Sequence, residues 1–321
     1  MLAILREISV TCFFTSYLVV LVLELLRLAG RIPGRGLAVI LMTGIGLFTH
    51  VTYLLLRAVD LPGSEAGLWA SWSDWSLLLA LGMGICFLTF YLRRPDTVVS
   101  FFFLPAVLAL IGLSVAVRNL APFSRSEAAG VWRSVHGLAM MIGAGAVMIG
   151  FLIGVMYLLQ SHRLKHKRAG SSLRLPTLET LGRMNRKCLV ISTTAVAIGV
   201  IAGVVMNLNR WGKVGWTDGG VLLSGLLFLW LVAASAIEFF YVPASRGRKA
   251  VYLTLASLGF LILAMVGVLT SSHGRGDDEQ ASPNSYSLIS PLIPGSAPPP
   301  CRENWQPATV AVHTGKPGSL S

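Results

Sequence analysis

Residues Val135–Gln160 read VHGLAMMIGAGAVMIGFLIGVMYLLQ, an apolar run without a single Asp, Glu, Lys or Arg. At 1.5 Å rise per residue it makes a helix of about 39 Å, enough to cross a hydrocarbon core of about 30 Å. Its glycines do not argue against helix, because Gly is commoner in membrane helices than in soluble ones. Seven more runs of this kind fall at about Ile8–Ala29, Gly36–Ala58, Trp75–Leu92, Val98–Val117, Cys188–Met206, Val221–Val242 and Ala250–Thr270. Each is close to the roughly 20 residues that a spanning helix needs, and Pro105 in the fourth is tolerated where neighbouring helices satisfy the freed backbone group. The first is too long for the short apolar core of a signal peptide and lacks a small-residue cleavage pattern before Arg27 and Arg31. Over the whole chain, hydrophobic residues make up 54% and charged residues 12%, with a mean hydropathy of +0.71. That balance excludes an ordinary soluble domain. The expected fold is all-α: a polytopic bundle of eight transmembrane helices in one membrane domain, residues 1–274.

After Thr270 the composition turns to Gly, Ser, Pro and charge, including Ile293-Pro-Gly-Ser-Ala-Pro-Pro-Pro300. Such a segment buries too little apolar surface to offset the entropy of ordering. Residues 275–321 are therefore expected to form a disordered tail, with no soluble catalytic domain.

Lysine and arginine set the orientation. Arg31 and Arg35 follow the first run, Arg93 and Arg94 the third, and Arg246, Arg248 and Lys249 the seventh; the loop after the fifth holds Arg163, Lys165, Lys167, Arg168, Arg174, Arg183, Arg186 and Lys187. The intervening loops are poorer in charge or mixed, with Asp60, Glu65 and Asp74 after the second run and Asp277, Asp278 and Glu279 after the eighth. The positive-inside rule then places the odd-numbered loops in the cytoplasm and both termini outside. The net charge of +12 is thus a topology signal, and no recognisable module points to a nucleic-acid partner.

This orientation gathers three features at the outer face that were not used to set it. His136 opens the fifth helix, Trp211-Gly-Lys-Val-Gly-Trp-Thr-Asp218 joins the sixth and seventh, and His273 follows the eighth. Two neutral imidazoles suit the axial positions of a haem iron, and indole rings suit its apolar faces. Arg210 or Lys213 would pair with the propionates through charge-assisted hydrogen bonds. His50 lies inside the membrane, nearer its outer side, and an ionisable residue there is a functional candidate by default. Glu238 is a second one. Structural duties compete with each reading: aromatic-belt anchoring for Trp211 and Trp216, a helix N-cap for Asp218, a solvated helix end for His136, the start of a flexible tail for His273, and hydrogen bonds between helices for His50 and Glu238. His162, His166 and His313 are assigned no chemistry.

Cys12, Cys86 and Cys188 lie in or beside apolar runs, where cysteine behaves as a small apolar residue, and Cys301 stands alone in the tail. No Cys-x-x-Cys-His or Cys-x-x-Cys is present, so the chain is neither a c-type cytochrome nor a dithiol reductant. Phosphate-binding glycine loops, His-Glu-x-x-His and nucleophile elbows are also missing.

The segment from about Val135 to His273 resembles the cytochrome c assembly family of membrane haem-handling proteins, the CcsA/CcmC type and especially its HemX-like branch. The resemblance rests on His136 at the head of a helix ending Tyr157-Leu-Leu-Gln160, on Leu175-Pro-Thr-Leu-Glu-Thr-Leu181, on the tryptophan-bearing loop, and on Gly259-Phe260 before His273. It implies haem b held outside the membrane, His136 and His273 as axial ligands, and Trp211, Trp216 and Asp218 as the loop motif. His50 would be a single internal ligand. It further implies a non-enzymatic component of a cytochrome c synthetase system in a bacterial inner membrane, presenting haem to apocytochrome c with a larger periplasmic-facing subunit. The usual motif reads approximately Trp-Gly-x-x-Trp-x-Trp-Asp-Pro-Lys-Glu. Here Gly215 and Thr217 stand at tryptophan positions, and Gly219-Gly220-Val221 replaces Pro-Lys-Glu. The resemblance also admits a regulator of haem biosynthesis working through the basic loop at 162–187. A third class is a proton-coupled transporter using His50 with Glu238.

Overall fold

The computed structural model describes residues 9–27, 30, 33–60, 71–93, 99–119, 131–165, 175–212, 216, 219–240 and 246–270. Among them are eight α-helices and no strand: α1 (Val10–Leu26), α2 (Arg35–Asp60), α3 (Trp72–Arg93), α4 (Ser100–Ala116), α5 (Val131–Lys165), α6 (Leu178–Trp211), α7 (Gly219–Phe240) and α8 (Arg246–Thr270). Each expected apolar run has its helix. All eight lie in one compact unit, Met1–Gln280; the expected tail and its boundary fall outside the described residues.

The largest departure from the apolar runs is at α6, which begins ten residues before Cys188. Leu178–Lys187 is amphipathic: Leu181 and Asn185 are buried, while Glu179 and Arg183 lie outward and pair at 3.2 Å. Thr177 caps this helix, its hydroxyl accepting from the Thr180 N–H at 3.3 Å. The segment Leu175–Leu181 therefore has an immediate structural duty. At the other end Gly212 takes the left-handed conformation, φ 65°, and its N–H donates to the Leu208 carbonyl at 3.0 Å, ending α6 just before the tryptophan loop.

The helices form two four-membered rings. In the first, α1 packs on α2 and α4, α2 on α3, and α3 on α4; in the second, α5 packs on α6 and α8, α6 on α7, and α7 on α8. Phe13, Tyr17, Met83, Phe87 and Phe103 centre the first core, which runs on into Ile153 of α5 and Leu181 of α6. Val147, Leu189, Val196, Leu227 and Leu231 centre the second. The rings meet where Trp75 of α3 lies over Gly137 and Leu79 over Gly145 of α5. Since 75 pairs with 137 and 79 with 145, α3 and α5 run parallel and start at the same end.

Ion pairs tie antiparallel neighbours near their ends. Glu24 meets Arg35 at 2.6 Å between α1 and α2, Arg57 meets Asp74 at 2.7 Å between α2 and α3, and Arg186 meets Glu238 at 3.1 Å between α6 and α7.

Among the described residues, five helices are long and apolar enough to cross a membrane: α2, α3, α5, α6 and α7. α1, α4 and the Val251–Val266 part of α8 are apolar but shorter. Large side chains stand outward on the long helices, Leu37 and Phe48 of α2 and Leu229 of α7 each being 64% exposed. Apolar surface on that scale would not persist in water, and hydrocarbon is its natural solvent. The chain is an integral membrane protein.

Candidate functional site

His136 sits in the second turn of α5, half-buried, against α6. Its Nδ1 lies 2.7 Å from the backbone oxygen of Gly199. A carbonyl only accepts, so Nδ1 carries the proton of this bond and the lone pair of the neutral ring resides on Nε2. Ligating histidines are held in this way, the second nitrogen donating to a carbonyl or carboxylate. Close approach of the helices makes the bond possible. A Cβ placed on Gly203 would fall 3.0 Å from His136 Nδ1 and 3.1 Å from Cε1, and one on Gly199 would fall 2.7 Å from the Sδ of Met140. Two side chains one turn apart on α5 thus enter two glycine notches one turn apart on α6.

The second ring brings the start of α5 and the end of α6 together through the His136–Gly203 contact. Gly154 of α5 packs on Val251 and Leu255 near the start of α8, so α8 ends where α5 starts. The Arg186–Glu238 pair joins the start of α6 to the end of α7. The head of α5, the end of α6, the head of α7 and the end of α8 therefore share one end of the ring. Trp216, beyond that end of α6, is 67% exposed. Trp211 is the last residue of α6, though its side chain and that of Arg210 fall outside the described residues. Lys213, Asp218 and His273 fall outside them as well. α7 begins at Gly219, one residue after Asp218, and α8 ends at Thr270, three residues before His273.

Among the described residues no three or more His, Cys, Asp or Glu side chains gather as a metal site. A bis-imidazole haem site requires only two, and His136 fits that use through its oriented ring. Trp75, an aromatic side chain lying against the residue after His136, was missed by sequence reasoning. Its only signal was its place at the head of an apolar run, since nothing in the spacing pairs 75 with 137.

His50 lies elsewhere, fully buried in the first ring. Phe13 stacks on its face at 4.2 Å with the planes 1° apart, and Tyr17 stands edge-on at 6.2 Å. Its two nitrogens make no full hydrogen bond, the backbone of Leu77 being the polar group beside them. Glu238 is in the second ring, held by Arg186, so the two residues do not form a pair.

The family model described as cytochrome C assembly protein matches residues 69–274. The match takes in α3 to α8 and leaves out α1, α2 and His50. It begins well before Val135, where the sequence resemblance was placed, and includes the helix whose Trp75 packs on α5. No curated protein and no solved structure matches the chain. A bundle of apolar helices with this match over well more than half of its length belongs to the cytochrome c assembly protein family and has a role in cytochrome c maturation.

Proposed function

We propose that the protein binds haem at the outer membrane face and presents it during cytochrome c maturation. The observation that carries this reading is the His136 Nδ1 to Gly199 oxygen bond of 2.7 Å, which turns a helix-end histidine into an oriented donor with its lone pair on Nε2. Haem is the cargo, taken as haem b, and its joining to the apocytochrome thiols would be completed in concert with a separate partner subunit. The residues of this chain hold it. His136 would supply one axial nitrogen and His273 the other; Trp211 and the exposed Trp216 would cover the ring, Arg210 or Lys213 would meet the propionates, and Asp218 would belong to the loop as the residue before α7. With both axial positions filled, the iron is kept from oxygen and thiols, so the site is a holder more than a reactor.

His50 is the internal candidate. An imidazole buried without a full hydrogen bond carries a desolvation cost on the order of 1–3 kcal/mol, and ligation would offset it. The orientation that puts this end of the second ring outside is the one given by the basic loops.

The test is absorption of the purified protein. A Soret band with a low-spin spectrum is expected. Protein that is folded, colourless and unable to take up added haem overturns the reading and leaves the regulator, which needs no haem.

A further inference from the structure

We propose that Gly203 is a positioning residue for His136: by lacking a Cβ it uncovers the carbonyl of Gly199, fixes the imidazole in its Nδ1–H tautomer and so selects Nε2 as the nitrogen offered to an axial partner. The last clause rests on the haem reading above. The geometry is specific to one turn of α6. In an α-helix the carbonyl of residue i points toward the N–H of residue i+4, so the side chain at i+4 screens that oxygen from the side. Gly203 is that residue for Gly199. His136 uses the opening, with Nδ1 2.7 Å from the oxygen and Nδ1 and Cε1 3.0 and 3.1 Å from where a Cβ on Gly203 would stand.

A methyl group at 203 therefore meets the ring and not a movable chain end. To clear it the imidazole must rotate about its χ angles or α5 must withdraw, and either motion lengthens the Nδ1 bond. Once that bond is lost, the tautomer is no longer set, because the nitrogen that holds the proton follows the hydrogen bond the other can make. The same two helices offer a control. A Cβ on Gly143 would fall 2.7 Å from Val196 Cγ2, so Gly143→Ala crowds the α5–α6 contact two turns from His136 without touching its ring.

The experiment uses the full-length, haem-free protein with 15N-labelled histidine, read by NMR for which ring nitrogen bears the proton, with His136→Gln assigning the resonance. Wild type is expected to show a protonated Nδ1 and a bare Nε2. In Gly203→Ala the proton should be redistributed toward Nε2, while Gly143→Ala should keep the wild-type pattern. Titration with hemin should then show retention weakened by about 10- to 100-fold in Gly203→Ala, the range for loss of a bond that orients a ligand. Added imidazole should partly restore a low-spin spectrum. A bare Nδ1 in wild type overturns the proposal even if Gly203→Ala fails to fold, and so does an unchanged tautomer in Gly203→Ala or an equal change in Gly143→Ala. If the tautomers behave as expected but no variant takes up hemin, the positioning role stands and the haem reading fails. Low-spin haem on a wild-type His136 whose Nδ1 is bare gives the reverse.

Discussion

An imidazole gives iron a lone pair from one nitrogen only while the other holds the proton, and in His136 that proton is directed at the Gly199 carbonyl. Replacing His136 or His273 with alanine should leave five-coordinate or water-ligated iron, shifting absorption and resonance Raman spectra from low toward high spin and lowering cytochrome c assembly. The double variant should lose external haem. Trp211→Ala should weaken retention without changing the ligand set, because indole packs on the ring and does not bind iron. Low-spin haem unchanged in both single histidine variants would withdraw these ligands. His50 answers to a separate measurement: His50→Gly should lower haem per folded protein, and imidazole should partly restore it by filling the vacated coordination position. Equal haem content would make it a packing residue beneath Phe13. His136 was legible as a candidate because it heads an uncharged run; what orients it was not. Gly199 and Gly203 lie more than 60 residues away, and their meaning depends on which face of α6 turns toward α5, which no local spacing states.

At the scale of the helix, α6 shows how an apolar window under-reads a membrane element. Its first three turns carry Glu179, Arg183, Arg186 and Lys187, so the hydrophobic run begins only at Cys188, while the Thr177 cap and buried Leu181 start the helix at Leu178. Those turns place Arg186 beside Glu238 and Asn185 beside Thr254, whose hydroxyl accepts from the Asn185 amide at 2.9 Å. Glu238 was legible as an intramembrane charge, but its partner was not. The two sides of the pair differ in exposure, 43% for the arginine side chain and 7% for the glutamate. Arg186→Ala leaves a buried carboxylate, whereas Glu238→Ala leaves a guanidinium able to reach the interface along its own stem. Arg186→Ala should therefore cost more, about 2 kcal/mol, below the roughly 3–5 kcal/mol of a fully buried pair. Thr177→Ala should cost about 1 kcal/mol. Thermal unfolding in detergent, followed by a thiol-reactive fluorophore at the partly buried Cys86 and Cys188, would rank them. Equal losses for Arg186→Ala and Glu238→Ala would mean the pair is solvated.

Across the whole molecule, the eight helices were readable because spanning a hydrocarbon layer imposes a length and a composition, but their grouping into two rings was not. In a soluble bundle the buried stripe is marked against a polar one; here the outward faces are as apolar as the inward ones, and close packing depends on small residues such as Gly137, Gly143 and Gly199 whose partners are set by shape. The parallel run of α3 and α5 accords with the alternation expected from the basic loops, which makes sidedness the quantity on which the outer site depends. It can be measured in a background where Cys12, Cys86, Cys188 and Cys301 are replaced by serine or alanine. Single cysteines at Asp218 and Lys165 then probe opposite ends of the second ring, since α5 ends at Lys165 and the tryptophan loop follows the end of α6, beside the start of α5. A membrane-impermeant maleimide added to intact cells should label the Asp218→Cys protein and spare the Lys165→Cys protein until the membrane is opened. The positive-inside rule requires this order, because Arg163, Lys165, Lys167 and Arg168 resist translocation. The reverse order would put His136 and the tryptophan loop in the cytoplasm, where no secreted apocytochrome could meet haem held by them.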